Sequence, residues 1–242
     1  MRKGVRKHTF NESYFDTINT ERKAYWLGFI SADGSVTNSN KKTKSMRLRI
    51  NINIKDEYLL KEFKKDIEAH STKLRYYTSK VTGISDSPQV SITLNSNKLC
   101  DSLAQYEVKP RKTYSISFPN IDDKMLPHFF RGFFDGDGYM NYYPQKQYPN
   151  SIRFAFEIAG ASEKMANGIQ DYLSKNNITS QIYIRKPKTN GVFIRKVDLY
   201  RNMTGSKSSV LKIIKLMYEN ATIYMERKKC IADKIVEISR LV

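Results

Sequence analysis

Met46-Arg47-Leu48-Arg49-Ile50-Asn51-Ile52-Asn53-Ile54 alternates apolar and polar residues without a break. Side chains of a strand point to opposite faces in turn, so the segment predicts a half-buried strand. Met46, Leu48, Ile50, Ile52 and Ile54 would face a core; Arg47, Arg49, Asn51 and Asn53 would face water or a ligand. The same period returns in Ile152-Arg153-Phe154-Ala155-Phe156-Glu157-Ile158. A helical pattern follows each strand: Leu59, Leu60, Phe63 and Ile67 behind Asp56, and Met165, Ala166, Ile169 and Leu173 behind Ser162. Asp and Ser are N-cap residues, so Asp56 and Ser162 are expected to start these helices. Two more strands follow in each half. Segments 73–79 and 89–95 flank a turn with Gly83 and Pro88; segments 181–186 and 192–201 flank one with Asn190-Gly191, a strong hairpin signal. Closing helices are expected over 96–106 and over 206–229, the second broken near Asn220.

The chain also repeats itself. Trp26-Leu27-Gly28-Phe29-Ile30-Ser31-Ala32-Asp33-Gly34 and Phe130-Arg131-Gly132-Phe133-Phe134-Asp135-Gly136-Asp137-Gly138 are each an apolar stretch with small residues, ending in Asp-Gly. With the elements behind them, each half reads αββαββα. The expected organisation is a basic N-terminal arm over 1–23, a first repeat over 24–110, a linker over 111–128 and a second repeat over 129–242. Pro110, Pro119 and Pro127 suit an extended linker, because proline lacks the N–H that a helix interior needs. The fold class that follows is α+β, two pseudo-twofold-related αββαββα repeats.

Charge narrows the function. Of 242 residues, 42 are Lys or Arg against 24 Asp or Glu, a net charge of +18. So large an excess repels itself in a folded chain unless the partner is a polyanion, whose counterions are released on binding. Nucleic acid is therefore expected. A membrane surface is not, since no basic amphipathic helix has a strong apolar face. No apolar run approaches the roughly 20 residues that span a bilayer. Met1-Arg2-Lys3-Gly4-Val5 is basic with no apolar stretch after it, so secretion is not expected; bacterial or phage cytoplasm, or an organellar matrix, is. Cys100 and Cys230 make neither a disulfide framework nor a zinc site and are read as buried thiols. His8, His70 and His128 have no ligand-spaced neighbours and are read as structural or surface residues.

The repeated motifs carry the chemistry. As helices, they place Gly28 and Ala32 on one face, and Gly132 and Gly136 likewise. Glycine inside a helix is about 1 kcal/mol worse than alanine, so its use at matched positions implies a close helix–helix contact. That contact would bring Asp33 and Asp137 together at one end. Paired carboxylates repel unless something positive lies between them. With oxygen ligands and no nearby Cys or His, the cation implied is a hard one such as magnesium, suited to phosphodiester hydrolysis. One Asp-Gly alone would read as a turn; two in matched contexts do not.

These two nonapeptides, and the segment from Pro127 to Gly138 above all, resemble the paired signature of single-chain LAGLIDADG homing endonucleases; the resemblance extends over essentially the whole chain. It implies a site-specific endonuclease that makes a double-strand break with short 3′ overhangs in a long asymmetric DNA target, acting as a monomer and mobilising an intron or intein. Asp33 and Asp137 would be the catalytic metal-binding acids, aided by the backbone carbonyls of Ala32 and Gly136. Asp135 would not bind metal and is expected to cap or pair locally. Lys55, where strand passes into helix, would be the third catalytic residue, standing near the active site to polarise solvent or stabilise the transition state. Its second-half counterpart is Ala161, with Lys164 and Lys186 as distant substitutes, so the two half-sites are expected to be chemically unequal. Each curved antiparallel sheet would form a DNA-binding saddle in the major groove. Arginine reads guanine edges there and asparagine reads adenine edges. The first-half candidates are Arg47, Arg49, Asn51 and Asn53, then Arg75, Tyr77, Gln89, Ser91 and Thr93. The second-half candidates are Tyr139, Asn141, Arg153, Glu157, Gln181, Tyr183 and Arg185; the register of 192–201 stays open. Two other readings use the same fold: an intron maturase that binds intron RNA, and a catalytically silent DNA-binding protein. Intact acids in both motifs favour the nuclease.

Overall fold

The computed structural model of the chain describes residues 9–40, 44–79, 86–145, 148–187 and 196–241. The expected turns at Gly83 and Asn190-Gly191, the basic segment 1–5 and His8 lie outside them.

The two motif segments form α1 (Glu21–Asp33) and α4 (Leu126–Asp137), which pack directly on each other at the centre of the molecule. Thr20 caps α1 by accepting from the Lys23 N–H, and Pro127 lies in the first turn of α4, where its missing N–H removes no helix bond. A Cβ on Gly28 would stand 2.0 Å from the Phe129 carbonyl oxygen and 2.8 Å from the Phe133 nitrogen. A Cβ on Gly132 would stand 2.0 Å from the Tyr25 oxygen and 3.0 Å from the Phe29 nitrogen. The reciprocity is that of a pseudo-twofold axis. Backbone meets backbone at both glycines, so no side-chain rearrangement could make room for even a methyl group.

Each motif helix runs straight into a sheet. In the first half, β1 (Gly34–Asn40), β2 (Ser45–Asn53), β3 (Arg75–Ser79) and β4 (Ser87–Asn95) form an antiparallel sheet in the order β1-β2-β4-β3. In the second, β5 (Gly138–Gln145), β6 (Tyr148–Gly160), β7 (Gln181–Arg185) and β8 (Leu199–Thr204) give the order β5-β6-β8-β7. Gly34 pairs with Ile50, and Gly138 pairs with Ile158, so the halves match rung for rung.

One face of each sheet is covered by helices. In the first half, α2 (Glu57–Asp66) and α3 (Asn97–Ala104) bury Leu59, Phe63, Leu99 and Leu103 with Leu48, Ile50, Ile52 and Ile92. In the second, α5 (Glu163–Lys175) and α6 (Lys207–Tyr218) bury Met165, Ile169, Leu173, Val210 and Ile213 with Phe154, Phe156 and Ile158. A last helix, α7 (Glu226–Ser239), follows α6. No helix among the described residues is long and apolar enough to cross a membrane.

Several expectations need correction. Ile54 leaves the sheet for a 3-10 turn over Ile54–Asp56 and is exposed, because the side chain of Asn53 accepts the Lys55 N–H and bends the chain. Asp56 makes no side-chain cap; its buried carboxylate pairs instead with Arg227 of α7 at 3.1 Å, a charged donor being the stronger partner. Ser162 does cap α5, through the Met165 N–H. The break near Asn220 exists, with Asn220 in the left-handed region (φ 59), but the helix beyond it runs on to Ser239 rather than ending at 229. Tyr14, Phe15 and Ile18 are buried in the core, so most of the described part of the expected arm is packed. The expected linker over 111–128 includes the start of α4 and a 3-10 turn over Lys112–Tyr114. Cys100 is buried, whereas Cys230 is exposed on α7.

Gly132→Ala is expected to lower unfolding free energy by about 3 kcal/mol, read by urea denaturation, because the helices must separate to admit the methyl group. Gly160→Ala, with nothing within 4 Å of the new Cβ, is the control and should change stability by less than roughly 0.5 kcal/mol.

Candidate active site and its two flanking sheets

Asp33 and Asp137 are the last residues of α1 and α4. The helices meet so closely at this end that a Cβ on Gly136 would touch the Ala32 Cβ at 2.3 Å and lie 3.4 Å from the Asp33 Oδ2. Each acid keeps an open side toward solvent, yet protein encloses the rest. Burial pushes the Asp33 carboxyl up to about 6, with the Asp137 charge adding to the rise and Lys228, Lys112 and Arg227 opposing it. Burial also raises the Asp137 carboxyl, against Lys112 and Lys228. Neither carboxylate accepts a hydrogen bond from the described residues, and these contain no cluster of three or more His, Cys, Asp and Glu suited to a metal. Two mutually repelling carboxylates with uncommitted lone pairs and one open side fit a hard divalent cation, which would replace the protons they otherwise favour. Of the two backbone carbonyls expected to help, that of Ala32 already accepts from an ammonium group.

That ammonium belongs to Lys112. Its Nζ donates to the carbonyls of Ser31 (2.6 Å) and Ala32 (3.0 Å), at the C-terminal end of α1. Lys228 does the same for α4, donating to Phe134 and Gly138, both at 2.6 Å. Each lysine is 8% exposed and meets a helix end, where the carbonyls carry partial negative charge; that of Phe134 also accepts the Gly138 N–H. Burial lowers both ammonium groups, Lys228 to about 8; Asp137 and Asp33 oppose this at Lys112, and Asp135 ahead of those two opposes it at Lys228, where Arg227 adds to the lowering.

Sequence reasoning missed both lysines. Lys112 sits after Arg111, a residue in the left-handed region (φ 64), inside what reads as a linker. Lys228 lies in a helix with no counterpart in the first half, among other basic residues, and nothing local marks either one. Lys55 is exposed on its 3-10 turn, next to Asp56, whose partner Arg227 is one of the charges acting on Asp33. Lys164 is exposed and Lys186 pairs with Asp198 at 2.9 Å.

Asp135 explains how Lys228 is held. Its fully buried carboxylate accepts from the Tyr25 hydroxyl of α1 (2.8 Å) and from the Met225 N–H (2.7 Å), just before α7. The Glu226 N–H donates to the Tyr58 hydroxyl, and that hydroxyl to the Tyr224 carbonyl. With Arg227 on Asp56, these contacts fix the start of α7 against the first half, one helical turn from Lys228.

The polar faces of both sheets can now be read from their ladders. In the first, Arg47, Arg49, Asn51 and Asn53 of β2 share a face with Gln89, Ser91 and Thr93 of β4 and Arg75 and Tyr77 of β3. These side chains brace one another: Arg47 on Thr37, Arg49 on Thr93, Asn51 on Gln89, Tyr77 on Asn51 and Asn53 on Ser87. Ser91 is 3% exposed, at the floor of this face, so it is poorly placed for the contact expected of it. In the second sheet, Tyr139, Asn141, Arg153, Glu157, Gln181, Tyr183 and Arg185 share a face with Tyr143, Arg201 and Met203, which the unresolved register of 192–201 had hidden or the pattern had passed over. Glu157 is bound by Arg201 through two bonds of 2.6 Å.

Residues 26–118 match the family profile described as LAGLIDADG endonuclease, and residues 125–215 match that of the LAGLIDADG-like domain. The chain belongs to the LAGLIDADG family. Similar solved structures include the LAGLIDADG meganuclease I-AabMI bound to uncleaved DNA, 15% identical over 90% of each chain with a TM-score of 0.59. The I-SmaMI LAGLIDADG homing endonuclease bound to cleaved DNA is 17% identical over 90% of this chain and 88% of its own, with a TM-score of 0.55. The LAGLIDADG homing endonuclease I-GzeII in complex with its DNA target is 14% identical over 90% of this chain and 89% of its own, also at 0.55. At such identities the likeness is one of fold. No curated protein sequence matches the chain significantly. The LAGLIDADG helices are thus α1 and α4, and the family's αββαββα repeat is what the two halves build.

The raised Asp33 carboxyl gives a pH dependence with a definite sign. Between 3.8 and about 6 the folded chain holds a proton there that the unfolded chain releases, so this stability is present below 3.8 and lost as pH rises through about 6. Without divalent cation, Asp33→Asn should flatten the fall of the thermal midpoint between pH 4.5 and 7, taking each value in about half-unit steps. Magnesium should raise the midpoint near pH 7.5 and much less near pH 5. A wild-type slope unchanged in the variant would sink this assignment.

Proposed function

We propose that this chain is a site-specific, double-strand DNA endonuclease of the homing type, acting as a monomer with a divalent metal, magnesium by expectation. One observation carries the reading: two carboxylates at the pseudo-twofold axis, each beside a buried lysine, lie between two sheets whose polar faces are rich in Arg, Asn, Gln and Tyr. One chain supplies both halves, so no second copy is needed to address both strands. The net charge of +18 would supply the sequence-independent part of DNA binding.

Asp33 and Asp137 would hold the cation between them, joined by the carbonyl of Gly136 and, if Lys112 gives it up, that of Ala32. A metal bound there would supply Lewis-acid stabilisation of a phosphodiester's developing charge. Lys112 and Lys228 keep their ammonium charge beside the acids, where it offsets the carboxylate repulsion in the free protein and the gathering negative charge on a scissile phosphate. Their anchoring to helix-end carbonyls holds each Nζ in place before DNA arrives. Lys55, at the margin of this group, would contact phosphate or solvent there. The sheets would lie in the major groove on either side of the cut, and hydrolysis across the minor groove would leave short 3′ overhangs. Insertion of an intron or intein into an empty allele would be the outcome. The maturase and silent-binder readings are not favoured, since RNA or DNA binding alone requires neither acid.

The test is cleavage of a randomised-site DNA library in magnesium. Wild type should cut one long site. Asp33→Asn and Asp137→Asn should each lose about 100-fold or more in single-turnover rate while still binding that site. Lys112→Ala and Lys228→Ala should lose about 100-fold in rate with Kd unchanged. Tight binding without cutting by wild type would overturn the endonuclease reading, and binding to intron RNA would then be measured.

The two halves are not chemically equal. Lys112 grips Ser31 and Ala32, whereas Lys228 grips Phe134 and Gly138, and the sequence counterpart of Lys55 in the second repeat is Ala161. A nicking time course with the strands labelled separately should show one strand cut before the other; equal rates would contradict it.

A further inference from the structure

The halves match rung for rung, so a difference at matched rungs on the polar face can be assigned to target sequence. Gly34 opposite Ile50 corresponds to Gly138 opposite Ile158. Counting from there, Arg49 occupies the place of Glu157, and Ser91, opposite Asn51, occupies the place of Arg201, opposite Ala159. At these rungs the first half carries guanidinium groups on β2 (Arg49) and β3 (Arg75), with a small buried serine on β4 between them. The second carries one on β8, with a carboxylate where the first has Arg49 and Tyr183 where it has Arg75.

A carboxylate on a surface that meets a polyanion is unfavourable unless it does something for a neighbour. Glu157 does so for Arg201. Its Oε1 accepts from Nε and its Oε2 from Nη2, both at 2.6 Å, which fixes the plane of the guanidinium. The Nη1 side has no partner among the described residues, and it borders a groove lined by Tyr139, Arg153, Gln181 and Tyr183. An Nη1–Nη2 edge held in a fixed plane matches the O6 and N7 acceptors of guanine. The adjacent carboxylate cancels most of the charge that would attract a phosphate, yet leaves the directed N–H groups that a neutral base edge requires.

Resting on the endonuclease reading above, we propose that Arg201, oriented by Glu157, reads a guanine in the second half-site, and that Glu157 is a positioning residue rather than a base contact. The first half-site, faced by Arg49 on β2 and Arg75 on β3 instead of an arginine on β8, would then not mirror it, and the target would not be palindromic at these rungs.

The experiment is selection of bound duplexes from a randomised library by full-length wild type, Arg201→Ala, Arg201→Lys and Glu157→Gln. Calcium replaces magnesium to hold off cutting. Thermal midpoints confirm that each variant is folded. Wild type should select one strongly preferred guanine on the second-half side. Arg201→Ala should lose about 10- to 100-fold of discrimination at that position alone. Arg201→Lys should lose most of it too, because an ammonium has no planar fork. Glu157→Gln should weaken the preference while strengthening binding to unrelated DNA. Since the pair is neutral as a whole, Arg201→Lys should leave the salt dependence close to that of wild type. Uniform weakening across all sequences would make Arg201 a phosphate contact, and an unchanged profile would make the pair a surface salt bridge; either overturns the proposal while the endonuclease reading stands. Absence of any selected sequence with wild type would remove both.

Discussion

Everything chemical in this protein depends on how closely α1 and α4 approach. Gly28 and Gly132 let each backbone run against the other, with no side chain between them at either crossing. That separation decides where the helices end relative to one another, and they end at Asp33 and Asp137. A wider crossing would part the acids and leave two unrelated helix termini. The same contact lies at the middle of the core, where Tyr25, Trp26, Phe29, Phe130 and Phe134 are fully buried, so the proposed functional centre rests on the most deeply buried packing of the molecule. Burying two carboxylates side by side opposes folding, and the raised Asp33 carboxyl expresses it, through burial first and the Asp137 charge second.

The buried cations answer it. Lys112 and Lys228 reach the acids from opposite parts of the chain and are held by helix-end carbonyls rather than by the carboxylates themselves. The acids therefore keep their lone pairs uncommitted, as the proposed metal site requires, while the positive charges stay close enough to act on them. Holding Lys228 requires α7 to dock across the molecule. Asp135, Tyr58 and Asp56 take the N–H groups and the guanidinium at its start. The third acid of the centre thus serves to place a lysine and does not face the open side.

In the proposed endonuclease the sheets would add selectivity to a centre that has none. Their polar faces are not loose brushes of charge. Hydroxyl and amide partners brace the first face, and one tight ion pair dominates the second. Bracing lowers the side-chain entropy to be lost when a base edge is bound. The two faces carry different residues at matched rungs, so in the proposed function a fold with twofold symmetry would address a sequence without it.

The sequence by itself determined the duplication, the strand and helix pattern of both halves, the two acids and the polar character of β2. Each of these is local: period two, a cap, a small-residue spacing or an Asp-Gly stands within about ten residues of chain, and alternation fixes a face wherever a strand is half-buried. The fold class followed because the same local pattern occurred twice. Only the tertiary structure decided which cations serve the acids. Lys112 lies in a segment that reads as a linker, and Lys228 in a helix unique to the second half; both reach the centre by long-range packing that leaves no period behind. It also decided that Asp56 would pair with Arg227 instead of capping α2, that Ser91 would sink beneath its neighbours, and that Arg201 would lie beside Glu157. Those outcomes depend on which charged group from a distant element reaches a site first and with what partner. Burial and Coulomb attraction act through space, whereas the chain's periodicities act only along it.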